Sequence, residues 1–328
     1  MISDIQRQYE EDRRRTVARV VSQILRHINA DFVIDLNSIG RHPIATVVYK
    51  EAIRGGTAAR GVVEEGCRAL IVRSSKDFPR LRNGHLIAIQ SSLVLPERET
   101  RNAALTPASI DELALEEKLD GFAAALLACL PEWWPHFVDI VASYTVVEVN
   151  GNSAPSRFSG TFSDAAGAVH GAELRDAEMF VETLTHEAGH LWLNLLVNQD
   201  AHFIGNHYED QRFISPWRWD PRPIHGIVHG AYVFSVVVPA LLAVGTKSAR
   251  SRAVQLSVEV EDAARQILAF GELSLNATEV IAGAQARIVA AESLFSPSEL
   301  TTARDRYAVE KERKVQQLRG RAFELLVI

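Results

Sequence analysis

Cysteine is nearly missing from this chain: its 328 residues hold only Cys67 and Cys129. Two cysteines build neither a disulfide framework nor a thiolate zinc site, so a reducing, cytoplasmic setting is expected. An excess of positive charge is missing too. The formal net charge of -6 is spread along the sequence instead of gathered in a tail. That argues against general affinity for nucleic acid, whose phosphates demand a basic face. No apolar signal-peptide core follows Met1-Ile2-Ser3-Asp4, which run directly into a charged stretch. Long apolar runs are absent save one, residues 227–245 (IVHGAYVFSVVVPALLAVG). This run contains His229, Ser235 and Pro239, and the expectation is a buried helix broken near Pro239, with no membrane association.

What is present is globular in character. With 47% hydrophobic and 23% charged residues, the chain can bury a core as one large domain or two modest ones. Residues 3–28 carry an apolar stripe of Val17, Val20, Val21, Ile24 and Leu25, the mark of an amphipathic helix. Further helices are predicted over 43–54, stopping at Gly55-Gly56, and over a short stretch near 57–68. His85 to Leu95 reads as a strand entered through Asn83-Gly84. Ser109 and Glu112 have capping-box spacing for a helix over 110–130, and Pro131 to Pro135 break the chain. Residues 143–149 (SYTVVEV) form a strand, and a Gly/Ser-rich stretch then ends in Ala168-Val169-His170, a short edge strand. Over 253–292 two helices, or one broken near Gly271, are expected. The last helix starts at a capping box of Ser296 and Glu299, with Phe295 stapled to Leu300. The fold class is therefore mainly α with a few short β-strands, α+β. The expected organisation is an N-terminal helical and strand region (1–130), a metal-binding core (131–245), and a C-terminal helical region (246–328) packed with that core.

Residues 185–194 read THEAGHLWLN. On a helix over about 176–198, His186 and His190 lie one turn apart on one face, so two imidazoles can converge on one ion. Leu184, Ala188, Leu191 and Leu195 form an apolar stripe on another face. A His-Glu-x-x-His match arises by chance in about one chain in fifty of this size. Its place on a patterned helix strengthens it, as does the crowding of seven of eleven histidines between His170 and His229. The plainer alternative is two surface histidines on a solvated helix face.

A catalytic metal needs a third ligand. Residues 220–234 (DPRPIHGIVHGAYVF) place His225 and His229 one turn apart on a helix starting near Ile224, and either could serve. His202 and His207, in an irregular loop, are weaker candidates. Leu193 and Leu196 stand where a metzincin carries glycine and its third histidine, which excludes that family. With zinc, such a site and Glu187 as general base would make a peptidase. With Fe(II), open positions would suit an oxygenase, although the usual iron site includes a carboxylate.

THEAGHLWLN, followed by Arg222, Pro223, Gly226, His229, Gly230 and Phe234 in an Arg-Pro-x-x-Gly-x-x-His-Gly-x-x-x-Phe block, resembles the HExxH-motif proteins of peptide natural-product clusters. The likeness covers roughly 140–245. It implies a zincin-like metal helix in a helical metalloenzyme domain. The implied activity is an Fe(II)- and α-ketoglutarate-dependent β-hydroxylase whose partner is a ribosomally made precursor peptide. It assigns His186, His190 and His229 to iron and leaves His225 beside the ion. Arg222 becomes the candidate for the α-ketoglutarate carboxylate, a guanidinium fork suiting bidentate recognition; a loop salt bridge is the bland alternative. Glu187 matches the motif, to orient a ligand or contact substrate. The loop over 199–223, with Trp217, Arg218 and Trp219, could line a peptide groove, or its tryptophans could simply anchor it. A zinc-dependent metallopeptidase and a metal-dead peptide-binding module are the competing readings.

Overall fold

The apolar stripe of residues 3–28 becomes the buried side of the first helix, α1 (Asp4–Ile28), where Val17, Val21 and Leu25 are fully buried. Positions four apart stack on one helix face. There they meet Ile39 of α2 (Leu36–Arg41), Ile44 and Val48 of α3 (Pro43–Arg54), and Leu70 and Leu81 of α4 (Thr57–Arg82). The computed structural model describes residues 4–28, 35–95, 105–155, 158–162, 165–200, 202–205, 212–318 and 325–326. The chain divides into two compact units, Met1–Trp192 and Leu193–Ile328. Residues 130 and 245 each lie inside one unit.

In the first unit the sequence pattern predicts a short helix near 57–68, but α4 continues to Arg82. Cys67, Leu70, Phe78 and Leu81 give the added turns a buried side, and Pro79 sits close enough to the end to be tolerated. The strand expected over 85–95 contracts to β1 (Ile87–Ala88), and a 3-10 turn follows at Ser92–Val94. Gln90 explains the contraction. Its side chain donates to Val146 O and accepts from Val146 N, standing in for a strand's main chain. After β2 (Leu105–Pro107), α5 (Glu112–Cys129) is capped by Asp111 and not by Ser109. The Asp111 carboxylate accepts from the amides of Leu113 and Ala114, while Glu112 turns to Arg73 at 2.9 Å.

α6 (Trp134–Ile140) leads into β3 (Ser143–Val149), the strand the sequence predicts. The sheet runs β1-β3-β6-β5, where β5 is Ser159–Thr161 and β6 is Ala168–Gly171. β1 and β6 flank β3 in parallel, β5 is antiparallel to β6, and β2 and β4 (Asn152–Ser153) pair with the far end of β3. Ala168-Val169-His170 is thus an interior strand. β5, made of serine, glycine and threonine, takes the outer place. All four residues of β6 are buried, and the His170 ring bonds to Val94 O at 2.9 Å, tying the 3-10 turn to the sheet. Asp176, whose carboxylate accepts from Met179 N at 2.8 Å, then starts α7 (Ala177–Val197).

In the second unit, β7 (Arg212–Phe213) pairs with β8 (Leu325–Leu326). Four helices follow the loop: α8 (Ile224–Val244), α9 (Lys247–Phe270), α10 (Leu275–Glu292) and α11 (Pro297–Leu318). α8 is long and apolar enough to cross a membrane, yet 67% of its most apolar window is buried inside the protein. Val237, Val238 and Leu241 of α8 pack with Ala253 and Leu256 of α9 and Ile288 of α10. The break expected near Pro239 does not occur, and α8 passes through it unbroken. Packing on both sides outweighs the hydrogen bond a proline lacks. The break at Gly271 does occur, on a left-handed residue with φ 76°. The capping box at α11 closes as the sequence predicts: Ser296 N donates to Glu299 Oε2 at 2.8 Å and Glu299 N to Ser296 Oγ at 3.2 Å. Phe295 and Leu300 share one cluster. The fold is mainly α with a small mixed sheet, an α+β arrangement.

Candidate metal centre

α7 owes its placement to aromatic contacts on its buried side. Phe180 stacks on Phe122 of α5 with ring centres 5.5 Å apart, and Trp192 stacks on Phe137 of α6 at the same separation. Leu184, Ala188, Leu191 and Leu195 are buried, as their spacing predicts. His186 and His190 are half-buried on another side.

Their Nε2 atoms lie 3.2 Å apart. Two imidazoles bound to one ion at about 2.1 Å, subtending between a right angle and a tetrahedral angle, would hold their nitrogens about 3.0–3.4 Å apart. The pair therefore fits two neighbouring positions on a single divalent ion; the same separation also suits an N–H···N hydrogen bond. Among the described residues, no group of three or more histidine, cysteine or carboxylate side chains is gathered as a ligand set.

Glu187 occupies a different setting from its neighbours. It is 1% exposed, with Oε1 3.9 Å from His186 Nε2. Ser159 and Thr161, two residues apart on β5 and so on one side of that strand, lie close enough to its carboxyl to favour the charged form. Oε2 is buried with no hydrogen-bond partner among the described residues. Burial pushes the carboxyl up to about 7, against the opposing influence of Ser159 and Thr161. Nearby, the Tyr144 hydroxyl donates to Ala172 O at 2.8 Å. It is pushed upward by burial and then by the Glu187 carboxylate. Gly171 makes room for that tyrosine, since a Cβ there would lie 2.3 Å from its oxygen. The sequence offers no sign of Ser159 or Thr161, because nothing in their spacing links them to a glutamate more than twenty residues away.

His229 lies in the second unit, half-buried on α8. Burial, and then the charge of His225, hold its imidazole down at about 4, so it is neutral, the form a metal accepts. His225 is exposed, as is His202, and His207 lies outside the described residues. Arg222 exchanges backbone hydrogen bonds with Phe213 at 2.8 and 3.0 Å, and its Nε stands 2.7 Å from Asp220 Oδ2. Of the loop tryptophans, Trp217 stacks on Phe234 at 4.9 Å, which anchors the loop. Trp219 is 52% exposed, with the Lys314 ammonium over its ring.

No protein-family model matches this chain, and no curated protein matches it.

Proposed function

We propose that this chain is an Fe(II)- and α-ketoglutarate-dependent peptide β-hydroxylase acting on a ribosomally made precursor peptide. The observation that carries the reading is the His186–His190 pair, whose nitrogens converge at a spacing suited to one ion. The Arg-Pro and His-Gly block, from Arg222 to Phe234, turns the reading from zinc towards iron. His229 as third ligand rests on that sequence block, and on this reading α7 is a zincin-like metal helix. Bound iron, together with a 2-oxo acid and O2, supplies the oxidising power for hydroxylating an unactivated carbon.

The protein's own share is placement. His186 and His190 are carried by a helix clamped at Phe180 and Trp192, which fixes the backbone from which the two rings project. Arg222 offers a guanidinium that a 2-oxo dicarboxylate can take from Asp220, a half-exposed pairing that water already weakens. Glu187, buried with Ser159 and Thr161 near its carboxyl, faces β5.

The test is turnover of protein purified without oxygen and loaded with Fe(II). Succinate formed in step with a precursor peptide heavier by one oxygen is the expected result, and His186→Ala and His190→Ala should abolish it. The second reading, a zinc peptidase, is favoured by one observation, the Glu187 carboxyl 3.9 Å from His186 Nε2. Zinc in the purified protein, and cleavage of the peptide with no need for α-ketoglutarate, would establish it in place of the first.

A further inference from the structure

One side of α1, at the border of its buried stripe, carries arginine at helical spacing. Arg15, Arg19, Ser22 and Arg26 follow one another at steps of four, three and four, and so align along about 16 Å of helix. They line a cavity of about 800 Å³, completed by Arg14 and by Leu36 and Arg41 of α2. The two helices approach closely: a Cβ on Gly40 would lie 2.6 Å from the carbonyl oxygen of Arg14.

Three features bear on what this groove can hold. Arg19 and Arg26 have no ion-pair or hydrogen-bond partner among the described residues, whereas Arg15, one turn before Arg19, is paired with Glu11 at 3.2 Å and Asp12 at 3.6 Å. Arg41 is pinned, donating to the carbonyls of Leu81 and Val138, while its buried Nε is unpartnered. Ser22 is 4% exposed, lines the cavity, and has an Oγ with no hydrogen-bond partner among the described residues. A helical serine normally returns its hydroxyl to a carbonyl of the preceding turn, so this one is kept for something else.

We infer that this groove docks an acidic peptide segment, its carboxylates on Arg19 and Arg26, with a polar group on the Ser22 hydroxyl. Guanidinium forks bind carboxylates bidentately. Leu36, 53% exposed, gives the groove an apolar contact that a peptide side chain can cover. Glu11, which also lines the groove, pairs with Arg15, so the uncompensated charge is confined to two guanidiniums and lies in a groove with an apolar residue, which suits carboxylates spaced along a peptide better than a continuous phosphodiester. The groove lies wholly within the first unit, and the inference does not rest on the chemistry proposed for His186 and His190.

The experiment is fluorescence anisotropy on the full chain with a fluorescein-labelled peptide of about fifteen residues, glutamate at every fourth position and leucine and alanine between. Saturable binding is expected at low salt, weakened at least about tenfold by Arg19→Glu with Arg26→Glu and again by added salt. Both arginines are exposed, so an unchanged circular dichroism spectrum shows that the double variant is folded. Arg19→Lys with Arg26→Lys should restore part of the binding. Ser22→Ala should weaken binding severalfold; if it only stabilises the free protein, the hydroxyl has no ligand role and the assignment fails there. No saturable binding, or binding untouched by charge reversal, overturns the inference. So does displacement of the peptide by a single-stranded oligonucleotide or tripolyphosphate at a lower concentration than unlabelled peptide requires.

Discussion

Gly230 of α8 has no side chain because the Trp217 ring occupies the space where one would be: a Cβ there would lie 2.2 Å from Trp217 Cζ3. The glycine that follows His229 in the sequence block is thus a packing residue, letting the loop tryptophan settle between Gly230 and Phe234. Gly230→Ala should destabilise the protein by about 1–3 kcal/mol in urea unfolding, because the ring has to move. In a Trp217→Ala background the same change should be neutral or stabilising by up to about 1 kcal/mol, alanine being the better helix former. Equal effects in the two backgrounds would refute the contact.

Glu259 of α9 is buried, with Oε2 unpartnered among the described residues. Burial pushes its carboxyl up to about 7, against Arg252, a hydrogen bond from Gln255, and Lys314; Glu310 adds to the rise. The folded protein therefore keeps a proton that the unfolded chain loses near 4.5. Its contribution is present below 4.5 and is lost as pH rises through 7. Glu259→Gln should gain on the order of 3 kcal/mol at pH 8 and nothing near pH 4. Urea melts at the two pH values read the difference.

His170 works in the opposite sense. Burial holds its imidazole down at about 4, against hydrogen bonds to the Gly160 and Val94 carbonyls. The unfolded chain takes up a proton near 6.5 that the folded protein refuses until about 4, so stability drops as pH falls across that window. His170→Gln should lack this component, which is on the order of 3 kcal/mol in the wild type. Parallel pH–stability curves for the two proteins would show that His170 does not titrate in this way.

Glu187→Gln should leave metal uptake intact while His186→Ala removes it, because the Glu187 carboxyl is turned to Ser159 and Thr161. Metal content after anaerobic loading and desalting measures this. Loss of metal in Glu187→Gln would make the carboxylate a ligand.

Elements fixed by local chemistry were legible in the sequence. The alternation in β3, the box formed by Ser296 and Glu299, and the stop at Gly271 each depend on residues within a few positions of one another. What escaped depended on distant partners. The last turns of α4 exist because Phe78 and Leu81 find a core, and β1 stops because the Gln90 side chain replaces its backbone at Val146. At the site, His186 and His190 were visible from spacing. The surroundings of Glu187 were not, since a Ser-Gly-Thr strand carries little propensity of its own. The arginines of α1 were visible as charge, but the unpartnered Ser22 hydroxyl and the pinned Arg41 emerge only when α2 folds against them.

The buried ammonium of Lys314 donates to the carbonyls of Ser215 and Pro216, nearly a hundred residues earlier. During synthesis, then, the loop that seats Trp217 waits for α11 to be made. The first unit is synthesised before the second is complete, and the His-Gly helix reaches its finished surroundings only once α11 has been made. A nascent chain stalled before α11 would carry an unfinished Trp217 loop.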